Sequence, residues 1–475
     1  MLANAFYNVL YQIATLLMPI ITTPYISRIL GPEGIGEYVL GDTYSQYFIL
    51  IGSLGLALYS SREIAYVRDN DDLLRKTFWE LVLIRIPLVG TASIIYFVIF
   101  FVFGVKESYV NKIFLINIIS SIFDISWFFI GIEDFKKRAL KSVIIKILAV
   151  VCVFFLVKQA NHVWLYALII CSGNLLGQLV MWPDLPTNIR RISKLTLCSF
   201  KRHFKGSLSI FASIIIIRIY TLFDRLMLGE MANNSSVAFY DNSQKIIRGI
   251  ATLLTASIQA ITPRLANYYI NKQEKEFQNN NYNVFRIVNM LGFPLCMGLI
   301  GIANTFSVWY YGEKFMGINL LLIVGAPTII SLGWTGVFSN NILISTGKQR
   351  VLTIAVFVGA LTDVVLNLFF ISKYKSLAAT LSTLAAEIIG LLIMLYGVRK
   401  ILPIKPFFTG SLRYLFLSLC MGMFVYFIGF LLPISILSTL IQVLCGGFFY
   451  ILGLILLKDS VFFDLIYKLK QFRKK

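Results

Sequence analysis

Apolar residues run along this chain in stretches of about 20, the length that crosses a hydrocarbon core, and short polar interruptions separate them. About 14 such segments can be marked, beginning near Asn4, Gly36, Phe78, Lys112, Ser142, Val163, Gly206, Val237, Asn283, Gly317, Val351, Leu377, Gly410 and Ile434. Each is predicted to be helical, because a lone segment in hydrocarbon satisfies its own backbone only as a helix. The longest connection, from about Pro183 to Lys205, is too short to fold as a domain of its own. The first segment lacks the short apolar core and small-residue cleavage site of a secretory signal, so it is expected to stay as a spanning helix.

Composition narrows the class. The 475 residues are 58% hydrophobic and 14% charged, with a mean hydropathy of +0.78, which a water-soluble domain of this size does not tolerate. The expectation is an all-α polytopic membrane protein whose function lies among its helices. The net charge of +20 is a topology signal. Arg68, Arg75, Lys76, Lys136, Lys137, Arg138, Arg190, Arg191, Lys201, Arg202, Lys272, Lys275, Lys348, Arg350, Arg399, Lys400 and the tail ending at Lys475 fall in even-numbered loops or the C-terminus. About 28 basic residues lie there against about 7 in odd-numbered loops, so both termini are expected in the cytoplasm. The expected surroundings are the lipid bilayer of the plasma membrane. A nucleic-acid partner is not expected, since no folded basic face with interleaved aromatics is present.

Signatures of covalent chemistry are sparse. The six cysteines contain no Cys-x-x-Cys pair, and His162 and His203 are assigned to separate loops without metal-ligand spacing. "STGK" at Ser345 to Lys348 resembles part of a phosphate loop, but Ile342 stands where its first Gly belongs. The expectation is therefore no catalytic residue, no metal and no cofactor. A lipid-linked sugar polymerase would also need paired carboxylates on a long external loop.

Internal repetition points instead to transport. "ISRILGPEGIGEYV" from Ile26 resembles "FDRLMLGEMANNSSVAFY" from Phe223, and "SSREIA" at Ser60 resembles "TPRLA" at Thr262, aligning Arg28 with Arg225 and Arg62 with Arg264. Two matches in order suggest two homologous halves of parallel topology, as in transporters that rock one bundle against another. The expected boundaries are residues 1–205 for an N-terminal six-helix lobe with its cytoplasmic linker and 206–405 for a C-terminal six-helix lobe. Residues 406–475 would add two further helices and the basic tail.

Polar stripes mark where a hydrated space should lie. In the eighth segment Asp241, Lys245, Arg248, Thr252, Thr255 and Gln259 recur at alternating steps of four and three, which places them on one helix face. The first segment carries Asn4, Asn8, Gln12, Thr15 and Thr22, the second Asp42, Gln46, Ser53 and Ser60, and the seventh Ser207, Arg218, Thr221 and Arg225. Such stripes also bind helix to helix. Arg62, Lys146 and Arg286 lie near enough to a rim to snorkel, whereas Arg218 and Arg248 fall near mid-depth, where insertion costs about 2.5 to 3.5 kcal/mol or more. Asp124, Asp363 and Glu387 also fall near mid-membrane. Each carboxyl there is neutral, paired with a buried base, or a carrier of a coupling proton or sodium ion.

Three segments carry a family resemblance. "FDISWFFIGIEDFKKRALK" (Phe123 to Lys141) resembles the end of the fourth helix and the basic loop after it in the bacterial polysaccharide flippases, the O-antigen and capsule repeat-unit transporters of the multidrug/oligosaccharidyl-lipid/polysaccharide exporter superfamily. "TTPYISRILGPEGIGEY" resembles that family's first loop, and Asn341 to Glu387 resembles its tenth to twelfth helices. The pattern departs at Ser372, Lys375, Ser376 and Asp363. The resemblance implies a V-shaped transporter of two pseudo-symmetric six-helix bundles plus two C-terminal helices. It further implies translocation of undecaprenyl pyrophosphate-linked oligosaccharides from the inner to the outer leaflet, coupled to a proton or sodium gradient, with polysaccharide polymerase machinery as a partner. On that basis Arg218, Lys245 and Arg248 are expected at the diphosphate. Asn4, Asn8, Gln12, Gln46 and Thr252 are expected among the substrate contacts, and Asp124, Asp241, Asp363 and Glu387 as candidates for ion coupling. The alternative within the superfamily is a multidrug and toxin exporter, which would prefer an acidic, aromatic-lined pocket for cations.

Overall fold

The structure, a computed structural model, describes residues 2–106, 108–191, 197–259 and 261–472; the side chains of 2–14, 16, 135–140, 197–199, 212–214, 216–220, 256–257 and 468–472 lie outside that description. Every regular element among the described residues is a helix. Among the described residues eight helical stretches are long and apolar enough to cross a membrane, or up to nine when a bent pair is counted as one span. Large apolar side chains such as Phe369, Phe416 and Leu431 are exposed on the outside, a surface suited to hydrocarbon. The protein is a multi-pass membrane protein. By packing, its chain forms two compact units, Met1–Ala238 and Phe239–Lys475.

The first unit holds α1 (Leu2–Ser53), α2 (Leu56–Val67), α3 (Asp71–Phe97), α4 (Tyr109–Ile113), α5 (Leu115–Ile122), α6 (Ser126–Gly131), α7 (Phe135–Leu156), α8 (Val163–Leu179), α9 (Leu197–Met231) and the first turn of α10 (Asn234–Gln259). Helix α1 is interrupted at Gly31, with φ 68° and ψ −179°. Glycine accepts that backbone without a Cβ clash, and Pro32 bars helical geometry in the residue before it. Near Leu54 and Gly55, both at positive φ, the chain bends by 42° into α2.

The two sequence segments that resemble each other meet inside this unit. Gly36 approaches α10 so closely that a Cβ would lie 1.8 Å from the Asn234 carbonyl oxygen, and Gly229 sits against Leu40. Ser235 Oγ donates to Glu33 Oε2 at 2.8 Å. On the same side Glu230 pairs with Lys106 and accepts from the Tyr44 hydroxyl.

A second break separates α5 from α6, and the acid of the "FDISW" stretch stands in it. Asp124 Oδ1 accepts from Ser126 N at 2.9 Å, capping α6, while Arg85 of α3 reaches Asp124 Oδ2 at 3.3 Å. The backbone freed by the break is also satisfied: Arg85 Nε donates to Ser121 O, Trp182 Nε1 to Phe123 O and Trp127 Nε1 to Asp124 O. Around this region pack Phe78, Trp127, Phe128 and Phe129, all fully enclosed.

The second unit contains the rest of α10, α11 (Thr262–Ile270), α12 (Glu274–Tyr311), α13 (Ile318–Gly325), α14 (Pro327–Gly336), α15 (Gln349–Val398), α16 (Lys405–Phe408), α17 (Ser411–Leu431), α18 (Ile436–Leu456) and α19 (Ser460–Phe472). The 50 residues of α15 are two helices, because Lys375 leaves helical geometry with φ 50° and ψ −129°. Gly359 faces the Ala386 carbonyl, Gly390 that of Ala355, and Gly397 the Val351 side chain, so the arms run antiparallel. Small residues do the same between α12 and α17, where Gly301 and Gly422 let the backbones approach.

Arg85→Met is expected to cost about 3 kcal/mol of stability, because it strips both a half-buried carboxylate and a broken helix end of their donor. Thermal unfolding in detergent reads the loss. Gly36→Ala is expected to lower the melting temperature as well, since its methyl group meets backbone that has to shift.

Candidate functional site: the polar face of α10

Helix α10 is two-sided by sequence, and the fold uses both sides. Ile247, Ala251, Leu254 and Ile258 form one fully buried stripe, part of the core built with α12, α13 and α14. A neighbouring stripe carries Lys245, Arg248, Thr252 and Thr255; Lys245 and Thr252 are exposed and Arg248 and Thr255 half-buried. Their hydroxyls turn back to the helix, Thr252 Oγ1 donating to Gly249 O at 2.6 Å and Thr255 Oγ1 to Thr252 O at 3.2 Å. The cationic groups of this stripe are Lys245 and Arg248, both with partners in the fold.

One turn below, Asp241 is 1% exposed and accepts the Lys245 ammonium at 2.6 Å. Its surroundings are tightly bonded: Tyr311 donates to the Asn242 carbonyl at 3.0 Å, and the Tyr240 and Thr383 hydroxyls stand 2.9 Å apart. Arg248, Asp363 and Glu387 also have partners within the fold. Asp363 and Asn367 are buried on the first arm of α15, one and two turns after Gly359. Glu387 is half-buried on the second arm.

Beside α10 lies an apolar cavity of about 660 Å³. Leu253, Leu295, Met421, Val443 and Tyr450 contribute to its wall, and Gln442 is a polar group in it. The Gln442 amide nitrogen is held by Val425 O at 2.9 Å.

In the first unit Gln46 donates to Asp42 Oδ2 at 2.5 Å, so these two predicted polar positions face each other. Lys146 reaches Thr15 Oγ1 at 3.3 Å, joining α7 to the polar stripe of α1. Asp124 belongs to the Arg85 cluster described above. The side chains of Asn4, Asn8, Gln12 and Arg218 lie outside the described residues.

Histidine 203 requires a correction. Expected in a loop, it lies on α9 and is fully buried, with its ring nitrogens 3.0 Å from Glu80 Oε2 and from the Tyr59 hydroxyl. Sequence reasoning passed over Glu80 and Tyr59 too. A signal was available in Glu80, an acid within the apolar run that follows Phe78, but its partners come from two other helices.

This fold is shared with solved membrane transporters. The inward closed conformation of the lipid II flippase MurJ superposes with a TM-score of 0.76 at 19% identity, covering 95% of this chain and 100% of that one. An inward-facing multidrug resistance MATE family transporter of the MOP superfamily gives 0.64 at 13% identity, over 81% and 94%. The family model described as polysaccharide biosynthesis protein matches residues 1–269, and the chain belongs to that family. Two relatives assigned as O-antigen transporters span nearly their whole length: one from Escherichia coli (strain K12) is 23% identical over 415 residues, 84% of this chain and 96% of its own. The other, from Shigella dysenteriae, is 25% identical over 405 residues, 81% and 97% respectively.

A double-mutant cycle with Asp241→Asn and Lys245→Gln is expected to give a coupling of about 0.5 to 1 kcal/mol in thermal stability, limited by solvent screening of the half-exposed Lys245. Strict additivity of the two single changes would show that the pair contributes nothing.

Proposed function

We propose that this protein is a flippase that carries undecaprenyl pyrophosphate-linked oligosaccharide repeat units from the inner to the outer leaflet of the plasma membrane, with both termini in the cytoplasm. The observation that carries the proposal is the double character of α10 in a chain of this family: a cationic polar face on one side and an apolar cavity beside it. The substrate has the same division. Its diphosphate and sugars resist transfer into hydrocarbon, where an isolated ion costs tens of kcal/mol by a Born estimate of about that order. Its polyprenyl chain has no such cost.

In this mechanism Arg248 and Lys245 bind the diphosphate by charge-assisted hydrogen bonds, with Arg218 as a third cation. Asn4, Asn8, Gln12, Gln46 and Thr252 meet sugar hydroxyls. The apolar cavity accommodates part of the lipid. Alternating access driven by a proton or sodium gradient moves the headgroup across, and a polysaccharide polymerase receives it. The assigned role of the O-antigen relatives supports the substrate class, and the fold shared with the lipid II flippase supports the type of transport.

A cell lacking this gene is expected to accumulate lipid-linked repeat units in the inner leaflet. Restored wild type clears them, and Arg248→Ala clears them about tenfold or more slowly, the value of a lost ionic hydrogen bond. Full clearance by Arg248→Ala removes the diphosphate role. Absence of any accumulation in the deletion favours the multidrug exporter.

A further inference from the structure

In the first unit, away from the polar face of α10, three buried groups from three helices share one hydrogen-bonded line. Glu80 of α3 and Tyr59 of α2 are 2% and 3% exposed, and His203 of α9 between them is 0%. His203 Nε2 lies 3.0 Å from Glu80 Oε2 and Nδ1 lies 3.0 Å from the Tyr59 hydroxyl. A fourth group comes from outside: Arg202, 63% exposed, brings Nη2 to 3.6 Å from the same Glu80 oxygen and 3.1 Å from His203 Nε2. Glu80 Oε1 has no hydrogen-bond partner among the described residues.

We propose that Glu80, His203 and Tyr59 form a proton-binding site in which Arg202 and the proton compete for Glu80. With His203 uncharged, Nε2–H donates to Glu80, Tyr59 O–H donates to Nδ1, and Arg202 offsets the carboxylate charge. When a proton adds to Nδ1, the Tyr59 hydroxyl rotates and accepts from it. No heavy atom of the line has to move. The imidazolium now neutralises Glu80 and repels Arg202, whose side chain is already mostly in solvent and swings away.

Other charges nearby are balanced or solvated. On α2, Arg62 lies over the Tyr59 ring at 5.6 Å and approaches Glu63 at 3.9 Å. Lys76 on α3 and Lys201 and Lys205 on α9 are exposed. The site also sits on a mechanical seam. One turn further along α9, Gly206 packs against the Tyr59 ring, Ser207 Oγ donates to Leu54 O at 2.5 Å, and the backbone of Phe211 lies against Gly55. Those contacts hold α9 to the 42° bend between α1 and α2. Proton binding therefore changes the charge where α9 docks on the bent span, which makes it a means of coupling a proton gradient to the transport proposed above; only this coupling step rests on that proposal.

The chain has two histidines, so its imidazoles can be observed one by one. In full-length protein labelled with 15N-histidine in lipid nanodiscs, His203→Gln assigns the signals. The His203 ring 15N shifts report proton binding to the imidazole directly. Arg202→Gln, a change at an exposed side chain, is expected to raise its proton affinity about tenfold, and Glu80→Gln to lower it by at least as much. Failure of His203 to titrate, or an affinity unmoved by Arg202→Gln, overturns the site. Clearance of lipid-linked intermediates by Arg202→Gln cells is expected to shift its pH profile upward. An unchanged profile beside a shifted affinity overturns the coupling while leaving the flippase intact. If the deletion strain accumulates nothing, the flippase reading fails and the spectroscopic result still decides the site.

Discussion

In hydrocarbon a backbone carbonyl that leaves a helix has no water to turn to, and the polar side chains of this protein are arranged first around that constraint. The break at Ser121 to Ile125 is held by Arg85, Trp127 and Trp182, and the bend at Leu54 by Ser207. At the end of α7 the Tyr25 hydroxyl serves Phe154 O and Val157 O. Tyr96 reaches Asn111 O, and Tyr450 reaches Met290 O. Each of these donors lets a long apolar helix stop, bend or restart inside a packed unit.

This separates two kinds of polar residue that look alike in the chain. Arg85 and Asp124 are occupied by a broken helix and by each other, so their place at depth has a structural reason. Lys245 and Thr252 are exposed on an unbroken helix beside a stripe of buried Ile, Ala and Leu, Lys245 paired with Asp241 one turn away on the same helix. Charge on an intact helix, set beside an apolar cavity, suits an amphiphilic ligand, which explains why α10 and not the α5 to α6 break is the candidate site.

The Glu80, His203 and Tyr59 line belongs to neither kind. It caps no break, and it joins α2, α3 and α9 through side chains alone. A buried acid beside a buried imidazole needs its charges arranged, and here the exposed Arg202 supplies one arrangement and a proton another. The placement next to the Leu54 bend gives that choice a structural consequence.

Apolar run length made the helices legible, and periodicity the polar face of α10, because the spacing of 241, 245, 248, 252 and 255 fixes a face through local geometry alone. Hydropathy likewise fixed the solvent as lipid, and the repeated segments around Gly36 and Asn234 pointed to parts that turn out to touch. The sequence did not disclose partners distant in the chain. Arg85 meets Asp124 across 39 residues and Glu80 meets His203 across 123, and no local propensity encodes such pairings. The segments marked from Val351 and Leu377 place the turn beside Lys375, but not the positive φ that a non-glycine residue takes there or the close packing of the two arms. The sequence by itself determined which stretches are helices and which faces are polar, since both follow from backbone hydrogen bonding and a 3.6-residue turn. Only tertiary packing decided which polar groups are spent on the fold and which remain for function, because burial and partnership depend on the helices that arrive from elsewhere.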